Sequence, residues 1–264
     1  MSTTEVFART RAEDRAALIG YLPAGFPDLA GSVEAMRVMV DEGCDVIEVG
    51  LPYSDPVMDG PTIQAAAQQA LESGIRTVDV LRTVEQVAGT GTPVLVMTYW
   101  NPVERYGVER FAADLASAGG AGVITPDLVP EEAEAWVATA DEHRLDKVFL
   151  VAPSSTDDRL RSTTQACRGF VYATAVMGVT GARDVTSDLV GPLVARTKAV
   201  TDLPVGVGLG VSNGRQAAEL VRHADAVIVG SAFVRRLLDA GTDRAAGLEA
   251  VRELTRDLAE GVRA

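Results

Sequence analysis

Short runs of continuously apolar residues recur along the whole chain, and they predict its fold. Segments whose apolar residues have helical spacing separate these runs. The eight runs are Leu18–Leu22, Val46–Val49, Val94–Met97, Gly122–Ile124, Val148–Val151, Phe170–Ala173, Val205–Val207 and Ala226–Val229. Runs that are apolar throughout are typical of strands in a parallel sheet covered on both faces. Eight strand–helix repeats predict an α/β fold, a TIM (β/α)8 barrel, as a single domain over residues 1–264.

Helical patterns outside the plain repeat add an extra N-terminal helix to this barrel. Residues 2–13 predict a short amphipathic helix that covers the barrel bottom. The connection between the second and third strands holds two helical patterns, near residues 62–73 and 76–88, and Asp243–Val262 predicts the last outer helix. A doubly wound open sheet is the alternative fold, but no Gly-x-Gly-x-x-Gly motif follows the first strand.

Composition narrows the class of protein. A chain of 264 residues that is 47% hydrophobic can bury a sizeable core, and its net charge of −13 argues against a nucleic-acid partner. The acidic N-terminus, with Glu5, Glu13 and Asp14, has no apolar segment typical of a signal peptide. No apolar run approaches the ~20 residues of a membrane span. Cys44 and Cys167 lack CxxC spacing, which predicts buried thiols in a cytoplasmic protein.

The positions of the lysines and histidines in the predicted barrel narrow the possible chemistry. Active sites of such barrels lie at the carboxyl ends of the strands. The only lysines, Lys147 and Lys198, and the only histidines, His143 and His223, come just before predicted strands. They are therefore expected at the opposite face. This argues against a Schiff-base lysine or a histidine-bound metal, and it leaves carboxylates, hydroxyls and backbone amides.

The segment that begins with the second strand contains the main acid–base candidates. It reads Val-Ile-Glu-Val-Gly-Leu-Pro-Tyr-Ser-Asp-Pro-Val-Met-Asp-Gly-Pro-Thr-Ile-Gln over residues 46–64. Glu48 interrupts the apolar run, and an unpaired buried carboxylate is costly, so Glu48 is expected to have a role in acid–base chemistry. Asp55 and Asp59 follow in the loop. An ordinary Ser-Asp-Pro turn explains Asp55 equally well.

Glycine-rich segments after the last strands suggest a phosphate site. Gly208 and Gly210 follow the seventh strand, and Gly230 and Ser231 follow the eighth. Barrels often bind phosphate with backbone N–H groups of these two loops and of a helix N-terminus. Glycine allows the backbone to approach the phosphate oxygens closely. Tight turns are the alternative explanation for these glycines.

The loop after the sixth strand is a further candidate. The strand contains Tyr172, and the loop contains Gly-Val-Thr-Gly, with Thr180 and Gly181. Small residues permit a mobile loop, and the Thr180 hydroxyl can bond a neighbouring carboxylate. A connection that is merely flexible is the alternative.

These motifs resemble the signature of the tryptophan synthase α subunit. The segment over residues 48–64 is highly specific by itself, and the resemblance extends from about Phe7 to the last helix. The other matching segments are Met97–Pro102, Tyr106–Phe111, Pro126–Glu132, Phe149–Pro153, Gly178–Arg183 and Val207–Ser212.

The resemblance implies a lyase that cleaves indole-3-glycerol phosphate to indole and glyceraldehyde 3-phosphate in a retro-aldol reaction. It implies that Glu48 is the main acid–base and Asp59 the second catalytic carboxylate. Tyr172 would lie beside the substrate, and Thr180 would close onto Asp59. The implied phosphate-binding set is Gly181, Gly208, Gly210, Gly230 and Ser231.

The resemblance also implies a partner. In the family, the α subunit docks on a pyridoxal-phosphate-dependent β subunit, in an α2β2 tetramer of tryptophan biosynthesis, and indole passes between them. Pyridoxal phosphate is expected only in the β partner, and neither a cofactor nor a metal is expected in this chain. Two alternatives in this family remain open, a stand-alone indole-3-glycerol phosphate lyase and a regulatory binding subunit with little activity.

The chain departs from the usual family pattern at three places. Leu209 lies where relatives often have Phe, Met58 is bulkier than the usual small residue, and Tyr21 begins a variant of the first loop. These departures bear on affinity and loop packing. A phosphoribosyl isomerase barrel would share the phosphate loops, but the pairing of Glu48 with Asp59 counts against it.

Overall fold

Parallel strands close into an eight-stranded barrel in the computed structural model, which describes residues 2–174, 190–208 and 210–264. The strands are β1 (Ala17–Pro23), β2 (Val46–Gly50), β3 (Val94–Met97), β4 (Gly122–Thr125), β5 (Asp146–Val151), β6 (Val171–Thr174), β7 (Val205–Gly208) and β8 (Ala226–Val229). Each strand pairs with the next in chain order, and β8 pairs with β1 to close the barrel. The predicted TIM barrel is confirmed.

The helices of the described residues cover the outside and the bottom of the barrel. They are α1 (Thr3–Ala12), α2 (Leu29–Asp41), α3 (Pro61–Glu72), α4 (Thr77–Ala88), α5 (Trp100–Tyr106), α6 (Val108–Ser117), α7 (Glu134–Glu142), α8 (Asp157–Ala166), α9 (Val190–Lys198), α10 (Gly214–Leu220), α11 (Ser231–Ala240) and α12 (Arg244–Gly261). Several begin at a side chain that accepts a first-turn N–H, as Asp28 does for α2 and Asp243 for α12. Among these helices, none has both the length and the hydropathy of a membrane-spanning segment.

Alternation along β2 decides where its carboxylate points. Ile47 and Val49 pack in the large cluster of strand and helix side chains, whereas Val46 belongs to a smaller cluster. Successive side chains of a strand point to opposite faces. Glu48 therefore shares the face of Val46 and points into the barrel.

The extra helix α1 closes the bottom of the barrel, as predicted. Val6 and Phe7 belong to the same inner cluster as Val46, and the Phe7 ring centroid lies 5.6 Å from that of Phe170. The Thr3 hydroxyl donates to the carboxylate of Asp146 at the start of β5. Apolar packing and a buried hydrogen bond together hold α1 in place.

Strand β5 begins two residues earlier than its apolar run predicts. It starts at Asp146, so Lys147 lies within the strand and not before it. The Lys147 side chain is only 8% exposed, and its ammonium pairs with the Asp141 carboxylate at 2.6 Å. Polar partners at the barrel bottom thus extend the strand beyond its apolar part, and Lys147 still lies at the face opposite to the carboxyl ends.

Candidate active site

A cavity of about 100 Å³ opens at the carboxyl ends of the strands. Met97, Leu150 and Ile228 give it an apolar wall. The predicted site residues that line it are Glu48, Asp59, Tyr172, Gly208, Gly210, Gly230 and Ser231. The fold therefore brings together side chains and backbone from β2, β6, β7 and β8, which are far apart in the sequence.

Glu48 is a buried acid without a hydrogen-bond partner in the described residues. Its side chain is fully buried, and neither carboxylate oxygen has a hydrogen-bond partner there. In the barrel it lies beside Tyr21 of β1 and Leu95 of β3. Burial raises the pKa of Glu48 from its ordinary value to about 8. Near neutral pH this carboxyl is therefore mostly protonated, and it can both give and take a proton.

Asp59 faces the same cavity from the loop between β2 and α3. Its backbone carbonyl accepts a hydrogen bond from Gln64 Nε2 at 2.8 Å, and the chain enters α3 two residues later, at Pro61. Burial raises the pKa of the Asp59 carboxyl, and a hydrogen bond from the Tyr99 hydroxyl opposes the rise. The site thus contains two carboxyls in different polar settings, which is the arrangement that separates acid–base roles.

Two tyrosines bring hydroxyls to the strand ends above Glu48. A Cβ placed on Gly208 would overlap the Tyr172 hydroxyl, and one placed on Gly50 would overlap the Tyr21 hydroxyl. Burial, and then the negative charge of Glu48, raises the pKa of Tyr172. Burial also raises the pKa of Tyr21, with contributions from the charges of Asp59 and Glu48. Both phenols therefore remain protonated and can donate hydrogen bonds into the cavity.

The candidate phosphate ligands lie together at the ends of β7 and β8. Gly230 is the N-cap of α11 and makes no side-chain cap, so the first-turn N–H groups that begin at Ser231 have no acceptor within their helix. Gly210 adopts a positive φ of 67°, and a Cβ there would meet no atom of the described residues within 4 Å. Backbone N–H groups at a helix N-terminus favour an anion.

Two of these glycines also have a packing role that the sequence did not suggest. The Cβ position of Gly208 is taken by the Tyr172 hydroxyl, and a Cβ on Gly230 would lie 2.9 Å from Cδ1 of Tyr21. A larger residue at either position would therefore displace a tyrosine from the cavity. Close approach to a phosphate is only one reason for these glycines.

Some sequence predictions fall elsewhere. Thr180, Gly181 and Leu209 lie outside the described residues. Asp55 is exposed, and its carboxylate accepts a hydrogen bond from Ser54 Oγ at 2.5 Å. It does not line the cavity within the described part of the chain.

The lysine and histidine side chains lie away from the cavity. Lys198 ends α9, and His143 caps the end of α7. Lys198 and His223 line a separate polar cavity near Phe7, at the barrel bottom. With Lys147 at the start of β5, their predicted location at the opposite face is confirmed.

Sequence reasoning did not identify Tyr99, which holds the Asp59 loop. Its hydroxyl accepts a hydrogen bond from the Met58 N–H at 3.0 Å and donates to Asp59 Oδ1 at 3.1 Å. Its position just after β3 predicts a place at the active face, but simple packing at the rim of the barrel is typical of such a tyrosine too. In the sequence, Tyr21 stands out only as a departure from the family pattern, although its side chain lines the cavity.

Known proteins resemble this chain over nearly its whole length. A curated tryptophan synthase alpha chain of Nocardia farcinica is 62% identical over 257 residues, covering 97% of this chain and 94% of the relative. That of Mycobacterium marinum is 60% identical, covering 98% of this chain and 93% of the relative.

Solved structures of the same family as the curated relatives also resemble this chain. The Mycobacterium tuberculosis tryptophan synthase structure superposes with a TM-score of 0.94 at 57% identity, covering 99% of this chain and 98% of that one. Tryptophan synthase subunit alpha of Legionella pneumophila has a TM-score of 0.91 at 31% identity, with coverages of 99% and 98%. The family model for the tryptophan synthase alpha chain matches residues 7–263. The chain belongs to the tryptophan synthase alpha chain family.

Proposed function

We propose that this lyase cleaves indole-3-glycerol phosphate to indole and glyceraldehyde 3-phosphate, with Glu48 as the proton shuttle and Asp59 as the second carboxylate. The observation that carries the proposal is the burial of Glu48, whose pKa of about 8 suits transfer of a proton in either direction. The apolar wall of the cavity supplies the desolvation that raises this pKa and suits an indole ring.

In the proposed retro-aldol step, the Glu48 carboxyl gives its proton to C3 of the indole ring, which becomes a cationic indolenine. An ionised Asp59 near the ring N–H stabilises this cation. Glu48, now a carboxylate, takes the proton from the side-chain hydroxyl beside the breaking bond. The C–C bond electrons return to the ring, the hydroxyl carbon becomes the aldehyde, and Glu48 ends the cycle protonated as it began.

The phosphate would lie at the other side of the mouth. There the α11 N-terminus and the backbone near Gly208 and Gly210 offer N–H groups, and Ser231 adds a hydroxyl. Tyr172 would lie between phosphate and ring, because its hydroxyl is above Gly208. The family resemblance adds Gly181 to this set, and it implies that Thr180 would close onto Asp59.

A β subunit of tryptophan synthase is the proposed partner, in an α2β2 complex that receives the indole. Membership of the alpha chain family supports it, as do relatives described as tryptophan synthase of M. tuberculosis, one of them in an aminoacrylate-bound form. Pyridoxal phosphate would belong to that partner, since both lysines of this chain lie away from the cavity. We propose a cytoplasmic location, which the free thiols of Cys44 and Cys167 support. Residues 1–264 would act as one domain.

Substitution of the two carboxylates tests the proposed roles. Glu48→Gln and Asp59→Asn are each expected to lower kcat for indole release by at least about 100-fold, because each removes a group that acts in the transition state. Indole is measured with the purified chain alone and then with a β subunit. Asp158→Asn is the matched control, because that carboxylate is 96% exposed on α8. Wild-type turnover in either site variant would refute the assigned role.

The same assay separates the proposal from its alternatives. Full turnover by the chain alone, with no increase on adding the β subunit, would identify a stand-alone lyase. Substrate binding with no indole release under either condition would identify a regulatory binding subunit. Circular dichroism of every variant checks that a lost rate is not a lost fold.

A further inference from the structure

Tyr99 forms a bridge between two loops of the active face. It lies between β3 and α5 and is only 6% exposed. Its hydroxyl accepts the Met58 N–H at 3.0 Å and donates to Asp59 Oδ1 at 3.1 Å. Within the described residues it does not line the cavity. It therefore touches the second carboxylate without facing the substrate.

The direction of these hydrogen bonds is fixed by chemistry. A backbone N–H can only donate, so Met58 must use a lone pair of the phenol oxygen. The phenol has one proton, and an ionised carboxylate can only accept. Burial raises the pKa of Tyr99, so this proton stays on the oxygen. The proton of Tyr99 consequently points at Asp59, and the pair is charge-assisted whenever Asp59 is ionised.

The ring of Tyr99 also packs against a neighbouring aromatic ring, that of Tyr53. Its centroid lies 5.4 Å from that of Tyr53, and the Tyr53 hydroxyl accepts a hydrogen bond from Asn101 Nδ2 at 3.0 Å. A ring packed in this way keeps its hydroxyl at one place, so the carboxylate bonded to it loses rotational freedom. Asp59 precedes α3 in a loop, and within the described residues no other side chain donates to its carboxylate.

We propose that Tyr99 is a positioning residue for Asp59, which binds one carboxylate oxygen and thereby aims the ionised carboxylate at the substrate. The inference deepens the proposed function and rests on it. Within the described residues, Tyr99 from the β3–α5 loop bonds the Asp59 carboxylate, and the other titratable groups that line the cavity with Asp59 are Tyr21 of β1, Glu48 of β2 and Tyr172 of β6. Of these, only Tyr99 favours the ionised form of Asp59.

Tyr99→Phe is the direct test, because it removes one oxygen and keeps the ring. The expected result is a fall in kcat of roughly 10-fold, since a charge-assisted hydrogen bond is lost, with a smaller change in KM. The pKa of Asp59 should rise, and the acid limb of the kcat profile should move to higher pH. Loss of a purely structural contact would lower the thermal midpoint but leave that limb in place.

Tyr106→Phe is the matched control, because the Tyr106 hydroxyl also donates to an aspartate, Asp114, at 2.6 Å. That pair joins α5 to α6 and does not line the cavity. Both variants are assayed as the purified chain and with a β subunit, below their thermal midpoints. We expect the control to keep the wild-type rate and pH profile.

A double-mutant cycle with Asp59→Asn separates this inference from the proposed function. If Tyr99 acts through Asp59, Tyr99→Phe should lower kcat no further in the Asp59→Asn background. A wild-type rate and acid limb in Tyr99→Phe, with Asp59→Asn inactive, would overturn the role of Tyr99 alone. An active Asp59→Asn variant would overturn the proposed function first. Equal losses in Tyr99→Phe and Tyr106→Phe would overturn the positioning role of Tyr99.

Discussion

Among single residues, Glu48 departs furthest from what packing alone would select. Its neighbours Ile47 and Val49 are the apolar residues that a buried strand favours, whereas Glu48 places two carboxylate oxygens without partners, within the described residues, in the barrel interior. A buried, unpaired polar group costs stability. The protein reduces this cost by keeping the carboxyl protonated, with a pKa of about 8.

Because the Glu48 carboxyl is protonated in the folded protein, we expect the free energy of unfolding to depend on pH. A carboxyl with an ordinary pKa of 4.5 ionises in the unfolded chain, whereas folded Glu48 stays protonated up to about pH 8. The contribution of protonated Glu48 to the free energy of unfolding is therefore fully present below pH 4.5 and is lost as the pH rises through 8. Glu48→Gln does not titrate. Its free energy of unfolding relative to wild type should rise across this window, by up to a few kcal/mol.

Urea unfolding of wild type and Glu48→Gln at several pH values checks this directly. Other groups titrate in both proteins, so the difference isolates position 48. A difference that stays constant across the window would mean that Glu48 is not held protonated.

The sequence predicts the site roles of Glu48 and Asp59 better than it predicts the role of Tyr99. A carboxylate inside an apolar run stands out locally, and the family motif names both acids. The bond from Tyr99 to Asp59 joins residues that are 40 positions apart, and it depends on how two loops fold against each other. No local pattern marks such a bond.

At the scale of elements, the strands were predictable because each contains a short apolar run, but their ends were not. Strand β5 extends to Asp146 and Lys147, whose charges are met by Arg168 and Asp141. Those partners lie in other elements, so sequence periodicity could not anticipate the longer strand.

A buried ion pair also links the residues just before β1 and β2, as the charged partners of Asp146 and Lys147 do at the start of β5. Asp45, just before β2, accepts hydrogen bonds from Arg15 at 2.7 and 2.8 Å and from the Leu18 N–H at 3.0 Å. Burial alone would raise the pKa of Asp45, but these bonds hold it below its ordinary value. The Arg15 side chain is only 8% exposed.

Asp45→Ala should therefore lower the free energy of unfolding by about 3–5 kcal/mol, because it leaves a buried guanidinium without its main partner. Urea unfolding near neutral pH measures the change. Asp158→Ala, which removes an exposed ion pair with Arg161, is the control and should change stability little. Equal effects of the two substitutions would show that burial of the Asp45 pair does not matter.

In the molecule as a whole, the candidate active site and the packing that closes the barrel lie at opposite ends of the barrel. The carboxyl ends of the strands hold the cavity with Glu48 and Asp59. The other end is closed by α1 and by paired charges such as Arg15 with Asp45. This division is general for TIM barrels, where the bottom face serves the fold and the top face serves the reaction.

Phe7→Ala tests this division from the bottom end. Phe7 is 4% exposed and packs inside the barrel against Phe170, so its truncation should cost about 3–5 kcal/mol of unfolding free energy. The thermal midpoint should fall, while kcat/KM for indole release, measured well below that midpoint, should stay at the wild-type value. Glu48→Gln should give the opposite pattern, a lost rate without lost stability. A parallel loss of kcat/KM in Phe7→Ala would mean that packing beneath the barrel reaches the cavity through the strands, and that the two ends are not independent.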